Sequence, residues 1–246
     1  LHYSACIIHS SSLIHLCFSD HFLVYFITMK RISCIIFDLD GTLTQTNELI
    51  FATFNHVAEK YIGKIYTPVE ITKMFGPPED VAIERLVGKD RIDEAMDDFY
   101  SFYEKHHPRM ANAYDGIREM LDFLKSKGLL LAIFTGKGKR STLVSLDMLG
   151  IKNYFDIIIT GNDVDNHKPS GDGIRKVMAR LGLDPEQVLM VGDAVSDVKA
   201  ARETSVQIAA VLWDSYGKEK VLEMDVDYKF HNVPEFIEWL KTFISV

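Results

Sequence analysis

An apolar run that stops at two aspartates and a glycine constrains the fold of this chain most. The run covers Ile35 to Phe37, and Asp38, Asp40 and Gly41 follow it closely. β-Branched and aromatic residues before a glycine turn predict a strand buried on both faces of a parallel sheet. Two carboxylates so close in sequence repel each other unless a cation or a shared proton relieves them. The pair therefore predicts a metal site, an acid/base pair, or both.

The spacing of the apolar residues changes after this strand. In residues 47–112 the apolar residues recur every three or four positions, which predicts about four helices and no convincing strand. Further on, apolar runs alternate with amphipathic stretches, and this βα order predicts a parallel sheet with helices on both faces. We therefore predict an α/β fold in which residues 29–46 and 113–246 form a Rossmann-like core. Residues 47–112 would form a helical-bundle cap, inserted over the carboxyl ends of the strands as a lid.

The first 28 residues do not fit this plan. They begin with Leu1, contain no lysine or arginine, and their longest apolar stretch is interrupted by Ser19, Asp20 and His21. The segment is therefore too interrupted for a signal peptide or for a membrane-spanning helix. We interpret residues 1–28 as a non-native or disordered extension, with Met29 as the native start.

Charge and cysteine content narrow the functional classes. A net charge of −8 without a basic cluster gives no support for binding nucleic acid. The three cysteines, Cys6, Cys17 and Cys34, form no C-x-x-C pair. Such a sparse, odd set is typical of reduced thiols in a cytoplasmic protein. We expect no membrane partner. Monomer and dimer both remain open.

Polar residues follow four of the predicted strands, and in chain order they are Asp38 and Asp40, Thr135 and Gly136, Lys168, and Asp193 with Asp197. Parallel strands point the same way, so these residues are expected to converge on one cleft. Asp193 and Asp197 are four residues apart, a spacing at which an opening helical turn brings both carboxylates to the same side. Oxygen ligands without thiolates suit Mg²⁺. The hydroxyl of Thr135, the N–H of Gly136 and the ammonium group of Lys168 suit an oxyanion.

With these motifs the sequence resembles a haloacid dehalogenase (HAD) superfamily hydrolase with a helical cap, over the whole of residues 30–246. The resemblance rests on four segments in order, Asp38-Leu39-Asp40-Gly41-Thr42-Leu43, Thr135-Gly136, Lys168-Pro169 and Gly192-Asp193-Ala194-Val195-Ser196-Asp197. The Asp-Gly-Thr-Leu run and the turn Gly76-Pro77-Pro78 look most like those of phosphoglycolate phosphatases.

The resemblance implies a Mg²⁺-dependent phosphatase that acts on a small phosphorylated metabolite through an aspartyl phosphate. Asp38 would be the nucleophile, and Asp40 would protonate the leaving oxygen and then activate water. The metal would be held by the Asp38 carboxylate, the Asp40 backbone carbonyl and Asp193, with Asp197 as a direct or more distant ligand. Three residues would bind the phosphoryl oxygens, namely Thr135, Gly136 and Lys168.

Two other functions remain open on the sequence. A β-phosphoglucomutase-type phosphomutase would use the same Asp38 and Asp40, and a non-catalytic protein would only bind a phosphorylated ligand. The dehalogenase branch generally lacks an aspartate at the position of Asp40, so its presence favours phosphoryl transfer. Five residues of the cap are candidates for contact with the remote end of a substrate, namely Lys73, Arg85, His106, His107 and Arg109.

Overall fold

Within residues 32–245, the part of the chain that the computed structural model describes, six parallel strands form one sheet. The strands of this described part are β1 (Cys34–Phe37), β2 (Thr44–Gln45), β3 (Asn112–Ala113), β4 (Leu130–Phe134), β5 (Ile157–Ile159), β6 (Val188–Gly192), β7 (Gln207–Val211) and β8 (Tyr228–Phe230). The order across the sheet is β5-β4-β1-β6-β7-β8. The predicted α/β class with a parallel, Rossmann-like sheet is confirmed. The interpretation of residues 1–28 as an extension lies outside the described residues.

The helices are α1 (Asn47–Ile62), α2 (Pro68–Thr72), α3 (Glu79–Val87), α4 (Ile92–Met110), α5 (Ile117–Ser126), α6 (Lys139–Met148), α7 (Asp172–Leu181), α8 (Val195–Glu203), α9 (Lys218–Leu222) and α10 (Val233–Ser245). Helices α5, α6 and α10 contribute to the hydrophobic cluster on one face of the sheet, and α7 and α8 to the cluster on the other. Because both faces are covered, strand β1 is buried along its whole length. Ile35 and Phe37 point into the first cluster, and Cys34 and Ile36 into the second.

Helices α1 to α4 pack around a third, separate hydrophobic cluster, and we call residues 47–110 the helical insertion. The chain enters it after β2 and leaves it before β3, and these two short strands pair antiparallel, Thr44 with Ala113 and Gln45 with Asn112. No strand was predicted near residue 112, because two residues are too few to show an alternating pattern. Helix α9 and strand β8 were also missed, and both are short.

None of the helices in residues 32–245 is both long enough and apolar enough to cross a membrane.

Candidate active site

Asp38 lies where the central strand of the sheet ends. Its backbone N–H donates to the carbonyl of Val191 on the neighbouring strand at 2.8 Å, so the sheet holds the backbone in place up to this residue. The side chain is largely buried, and its Oδ1 accepts a hydrogen bond from Lys168 Nζ at 2.7 Å. Burial raises the pKa of Asp38 above its ordinary value, and Lys168 opposes that rise.

Lys168 joins two carboxylates that are far apart in sequence. Its Nζ lies 2.7 Å from Asp38 Oδ1 and 2.6 Å from Asp197 Oδ1, and 4.7 Å from the centre of the Phe134 ring. Burial alone lowers the pKa of Lys168, but the two carboxylates raise it by more, so the ammonium group stays charged. The predicted convergence of this lysine with the aspartates is thus present in the structure.

Asp38, Asp193 and Asp197 together form a group that suits a divalent cation. One ligand oxygen of each lies within 4.8 Å of those of the other two. Burial raises the pKa of Asp193 well above its ordinary value, and the charges of Asp197 and Asp38 raise it further. Lys168 contacts two of these three carboxyl groups, those of Asp38 and Asp197, so the group has more carboxylates than the one ammonium group can compensate. Oxygen donors with excess negative charge are what Mg²⁺ requires, so the donor set fits this metal.

Asp193 and Asp197 meet at the opening turn of α8. Asp193 stands in the turn between β6 and α8, and only Asp197 lies in the first turn of the helix. The turn folds back because the N–H of Ala194 donates to Asp197 Oδ2 at 3.0 Å. The two carboxylates therefore lie together at the opening turn of α8, with Asp193 just before the helix.

Two glycines let these carboxylates approach the backbone. Gly41 has a φ of +80°, and a Cβ there would lie 2.9 Å from Asp193 Oδ2. A Cβ on Gly192 would collide with the carboxylate of Asp197. The hydroxyl of Thr42 donates to Asp193 Oδ1 at 3.3 Å and helps to orient it. Gly41 therefore serves both the turn after β1 and the space for Asp193.

Asp40 lies in different surroundings from Asp38. Its carboxylate oxygens are 2.9 and 3.1 Å from Lys137 Nζ, and it also accepts a hydrogen bond from the hydroxyl of Thr46. It is not a member of the carboxylate group described above. The expectation that Asp38 and Asp40 face each other's charge is thus only partly met, because each carboxylate has a lysine of its own.

Thr135 and Gly136 follow strand β4, beside the end of β1. Thr135 is buried, and its hydroxyl oxygen accepts the backbone N–H of Lys137 at 3.2 Å, which leaves the hydroxyl proton available to a ligand. A Cβ on Gly136 would lie 3.0 Å from the carbonyl oxygen of Gly76, so the turn of the helical insertion rests against this loop.

The helical insertion is fastened to the core by Glu79, the first residue of α3. The buried Glu79 carboxylate accepts the N–H of Gly138 at 2.6 Å and the hydroxyl of Ser141, at the N-terminus of α6. A carboxylate is favourable at this end of a helix, where N–H groups lack partners. Nothing in the local sequence pattern identified Glu79, because its partners are about 60 residues away.

Lys137 was also missed, although it directly follows the predicted pair Thr135 and Gly136. It lies under Tyr103 of α4, with Nζ 4.8 Å from the centre of the ring. The hydroxyl of Tyr103 lies 2.7 Å from Ser145 Oγ, and His107 Nε2 lies 3.1 Å from the same oxygen. Core and insertion together thus enclose the side of the site where Asp40 stands.

The remaining candidates of the helical insertion lie in several places. His107 is buried against Ser145, and His106 stacks on Phe102 at 4.1 Å between ring centres. Lys73 and Arg109 are exposed. Arg85 lines an open cleft of about 650 Å³ between the turn at residues 75–77 and the loop at residues 165–170.

Carboxylates and a lysine meet at the carboxyl edge of the sheet, and a helical unit is inserted after the first strand. This arrangement is typical of an α/β enzyme. The chain belongs to the haloacid dehalogenase-like hydrolase family, whose model matches residues 35–211.

Relatives support this assignment over nearly the whole of their own length. The pyrophosphatase PpaX of Halalkalibacterium halodurans is 32% identical over 208 residues, which are 85% of this chain and 96% of the relative. The structure of a predicted β-phosphoglucomutase from Thermotoga maritima is 31% identical, with a TM-score of 0.67 over 86% of this chain and 99% of the other. A predicted phosphoglycolate phosphatase from Haemophilus somnus shares the fold, with a TM-score of 0.76 at 21% identity over 87% of this chain and 99% of the other.

Proposed function

We propose that this protein is a Mg²⁺-dependent phosphatase that hydrolyses a small phosphorylated substrate through an aspartyl phosphate on Asp38. The observation that carries the proposal is the position of Lys168, which contacts both Asp38 and Asp197 within 2.7 Å at the carboxyl edge of the sheet. A carboxylate nucleophile that attacks a phosphoryl group needs a fixed cation beside it, because negative charge accumulates on the phosphoryl oxygens.

The positions of the residues support the following roles. An oxygen of Asp38 bonds to phosphorus while the bond from phosphorus to the leaving oxygen breaks, and the electron pair stays on that oxygen. Asp40 gives its proton to the leaving oxygen and then takes one from a water molecule, whose oxygen adds to phosphorus and releases phosphate from Asp38. Thr135, Gly136 and Lys168 hold the phosphoryl oxygens.

Asp38, Asp193 and Asp197, with the backbone carbonyl of Asp40, would hold Mg²⁺. The metal would neutralise charge and polarise the phosphoryl group when bound. The fit is supported by the oxygen-only donors of the group and by the excess of negative charge around Lys168.

We propose that the helical insertion acts as a cap over this site. Its turn rests on Gly136, and Glu79 joins it to the N-terminus of α6. The chain passes between core and insertion through the paired strands β2 and β3, so these strands are the expected hinge. Closure would keep bulk water from the phosphoryl group.

Pyrophosphate and phosphoglycolate are the first substrates to test, because relatives are named as enzymes for them. Phosphate release with Mg²⁺ is measured for the wild type and for Asp38→Asn. We expect release by the wild type and a loss of at least about a thousandfold in the variant. Equal release by Asp38→Asn would exclude Asp38 as the nucleophile.

A phosphomutase is the second candidate, since the β-phosphoglucomutase relative is 31% identical. The two activities differ in their products. A phosphatase gives inorganic phosphate in proportion to the substrate consumed, whereas a mutase gives an isomeric sugar phosphate and little free phosphate. A protein that only binds phosphorylated ligands would give neither product and would bind them equally well after Asp38→Asn.

A further inference from the structure

Lys137 is a buried cation that the proposed phosphatase mechanism leaves without a role. Its side chain is 6% exposed, and its Nζ reaches both carboxylate oxygens of Asp40, at 2.9 and 3.1 Å. Burial lowers the pKa of Lys137, but Asp40 and Tyr103 raise it by more, so the group remains charged. Burying a charge costs free energy, so a buried ammonium group beside a reacting carboxylate needs a negatively charged partner.

The position of Lys137 relative to Asp40 identifies the side of the site that it faces. In the proposed reaction Asp38 attacks phosphorus from one side, and Asp40 serves the leaving oxygen on the other. Lys168 contacts Asp38 and Asp197, whereas Lys137 contacts Asp40. Lys168 therefore lies on the side of the nucleophile, and Lys137 lies on the side of the leaving group.

The charge of Lys137 loses its partner during the reaction. An Asp40 that carries the proton for the leaving oxygen is neutral, and then it no longer compensates the ammonium group. The other polar groups nearby are also neutral, because burial raises the pKa of Tyr103 and lowers that of His107 to about 4. The three donors of Lys137 meet the two oxygens of Asp40 and the hydroxyl of Tyr103. Because a protonated carboxyl oxygen accepts poorly, protonation of Asp40 releases a donor of Lys137 to a ligand.

We propose that Lys137 binds a negative charge on the leaving group, so that this site prefers substrates whose leaving group is itself an anion. The inference rests on the proposed phosphatase function and names its substrate class. Phosphate, as the leaving group of a phosphoanhydride, and an alcohol that bears a carboxylate both meet the requirement. A neutral alcohol would leave the buried ammonium group without a counter-ion once Asp40 is protonated.

The test compares matched pairs of substrates that differ in the charge of the leaving group. The pairs are pyrophosphate with methyl phosphate, and phosphoglycolate with hydroxyethyl phosphate. We expect the wild type to have a higher kcat/KM for the charged member of each pair. Lys137→Met should lower kcat/KM for the charged member about 10- to 100-fold more than for the neutral member, the factor expected for one hydrogen bond between charged groups. Lys137→Arg should keep a part of the preference.

The matched control is Lys139→Met, because this lysine lies two residues further on at the start of α6, is 62% exposed and pairs with Asp163. It should leave the preference unchanged. An equal loss on all four substrates in Lys137→Met, or a wild type without preference, would overturn the role in leaving-group recognition. Failure of the wild type to release phosphate from any of the four would instead contradict the proposed function.

A second measurement covers the case in which Lys137→Met does not fold because Asp40 is left unpaired. Asp40→Asn with Lys137→Met removes both charges of the pair, and Asp40→Asn alone is its reference. Binding of pyrophosphate and of methyl phosphate is measured by calorimetry with Mg²⁺. The double variant should lose affinity for pyrophosphate about 10- to 100-fold while binding methyl phosphate as the reference does. Equal affinities for pyrophosphate would overturn the inference.

Discussion

The two sides of the candidate site are built in different ways. On the phosphoryl side, Asp38, Lys168, Asp193 and Asp197 all belong to the core, at or after the ends of its strands. On the leaving-group side, Asp40 and Lys137 of the core lie beneath Tyr103 of the helical insertion. The first side is therefore placed by the core alone, through its strand ends, a loop and α8, whereas the second needs the insertion to be in position. Chemistry common to all substrates is expected on the first side, and selection among substrates on the second.

The largest effect is expected from Lys168→Met, which acts on the phosphoryl side. The change leaves Asp38 and Asp197 without their shared cation, so kcat should fall roughly a thousandfold on every substrate. Without Mg²⁺, the loss of one member of this buried group should lower the free energy of unfolding by about 3–5 kcal/mol. Steady-state kinetics and urea unfolding measure the two effects. A fall in kcat that differs between substrates with different leaving groups would contradict the separate roles of the two sides.

Asp40→Asn should slow turnover by roughly a hundredfold, since it removes the proton carrier but keeps the shape of the side chain. Binding of the substrate should persist, because Asp40 acts on the proton and not on the ground-state contacts. The measurement is kcat together with the Kd of the substrate. Weaker binding at unchanged kcat would contradict the role, and it would assign Asp40 to recognition alone.

The difference between the two sides also explains why the sequence pointed to the residues of the first side but not to the contacts of the second. Asp38, Thr135, Lys168 and Asp193 follow strands, and parallel strands bring their carboxyl ends to one edge, so the pattern of short apolar runs was enough. The contact between Lys137 and Asp40 joins residues 97 apart, and the contact between Tyr103 and Ser145 joins residues 42 apart. Such pairs depend on how the insertion packs on the core, which the period of a helix does not determine.

The short strands were not predicted from the sequence for a different reason. The paired strands β2 and β3 have two residues each, and their antiparallel pairing comes from the close approach of the two chain connections to the insertion. By contrast, the spacing of Asp193 and Asp197 was a local signal, because both residues lie beside the start of α8.

Glu79→Gln tests the contact that places the insertion, and a smaller effect is expected. The side chain keeps its size but loses the charge at the N-terminus of α6, which is worth about 0.5–1.5 kcal/mol. The closed arrangement should be populated less, so KM should rise several-fold and amide exchange near Gly138 should become faster. Glu84→Gln in the same helix is the matched control. An unchanged KM and unchanged exchange would show that the insertion is held without Glu79.

The smallest effect concerns His107, which the insertion buries on the leaving-group side. Burial, with a contribution from Lys137, lowers the pKa of His107 from 6.5 to about 4. Between these two pH values the unfolded chain binds a proton that the folded chain does not, so stability is lost as the pH falls through this range. His107→Gln removes this titration, and between pH 7.5 and pH 5 the variant should lose about 1–2 kcal/mol less stability than the wild type. Urea unfolding at the two pH values measures the difference, with His106→Gln as the control. An equal loss of stability in His107→Gln and the wild type would mean that the folded protein does not lower the pKa of His107. His107 would then be a second cation beside Lys137 at pH 5.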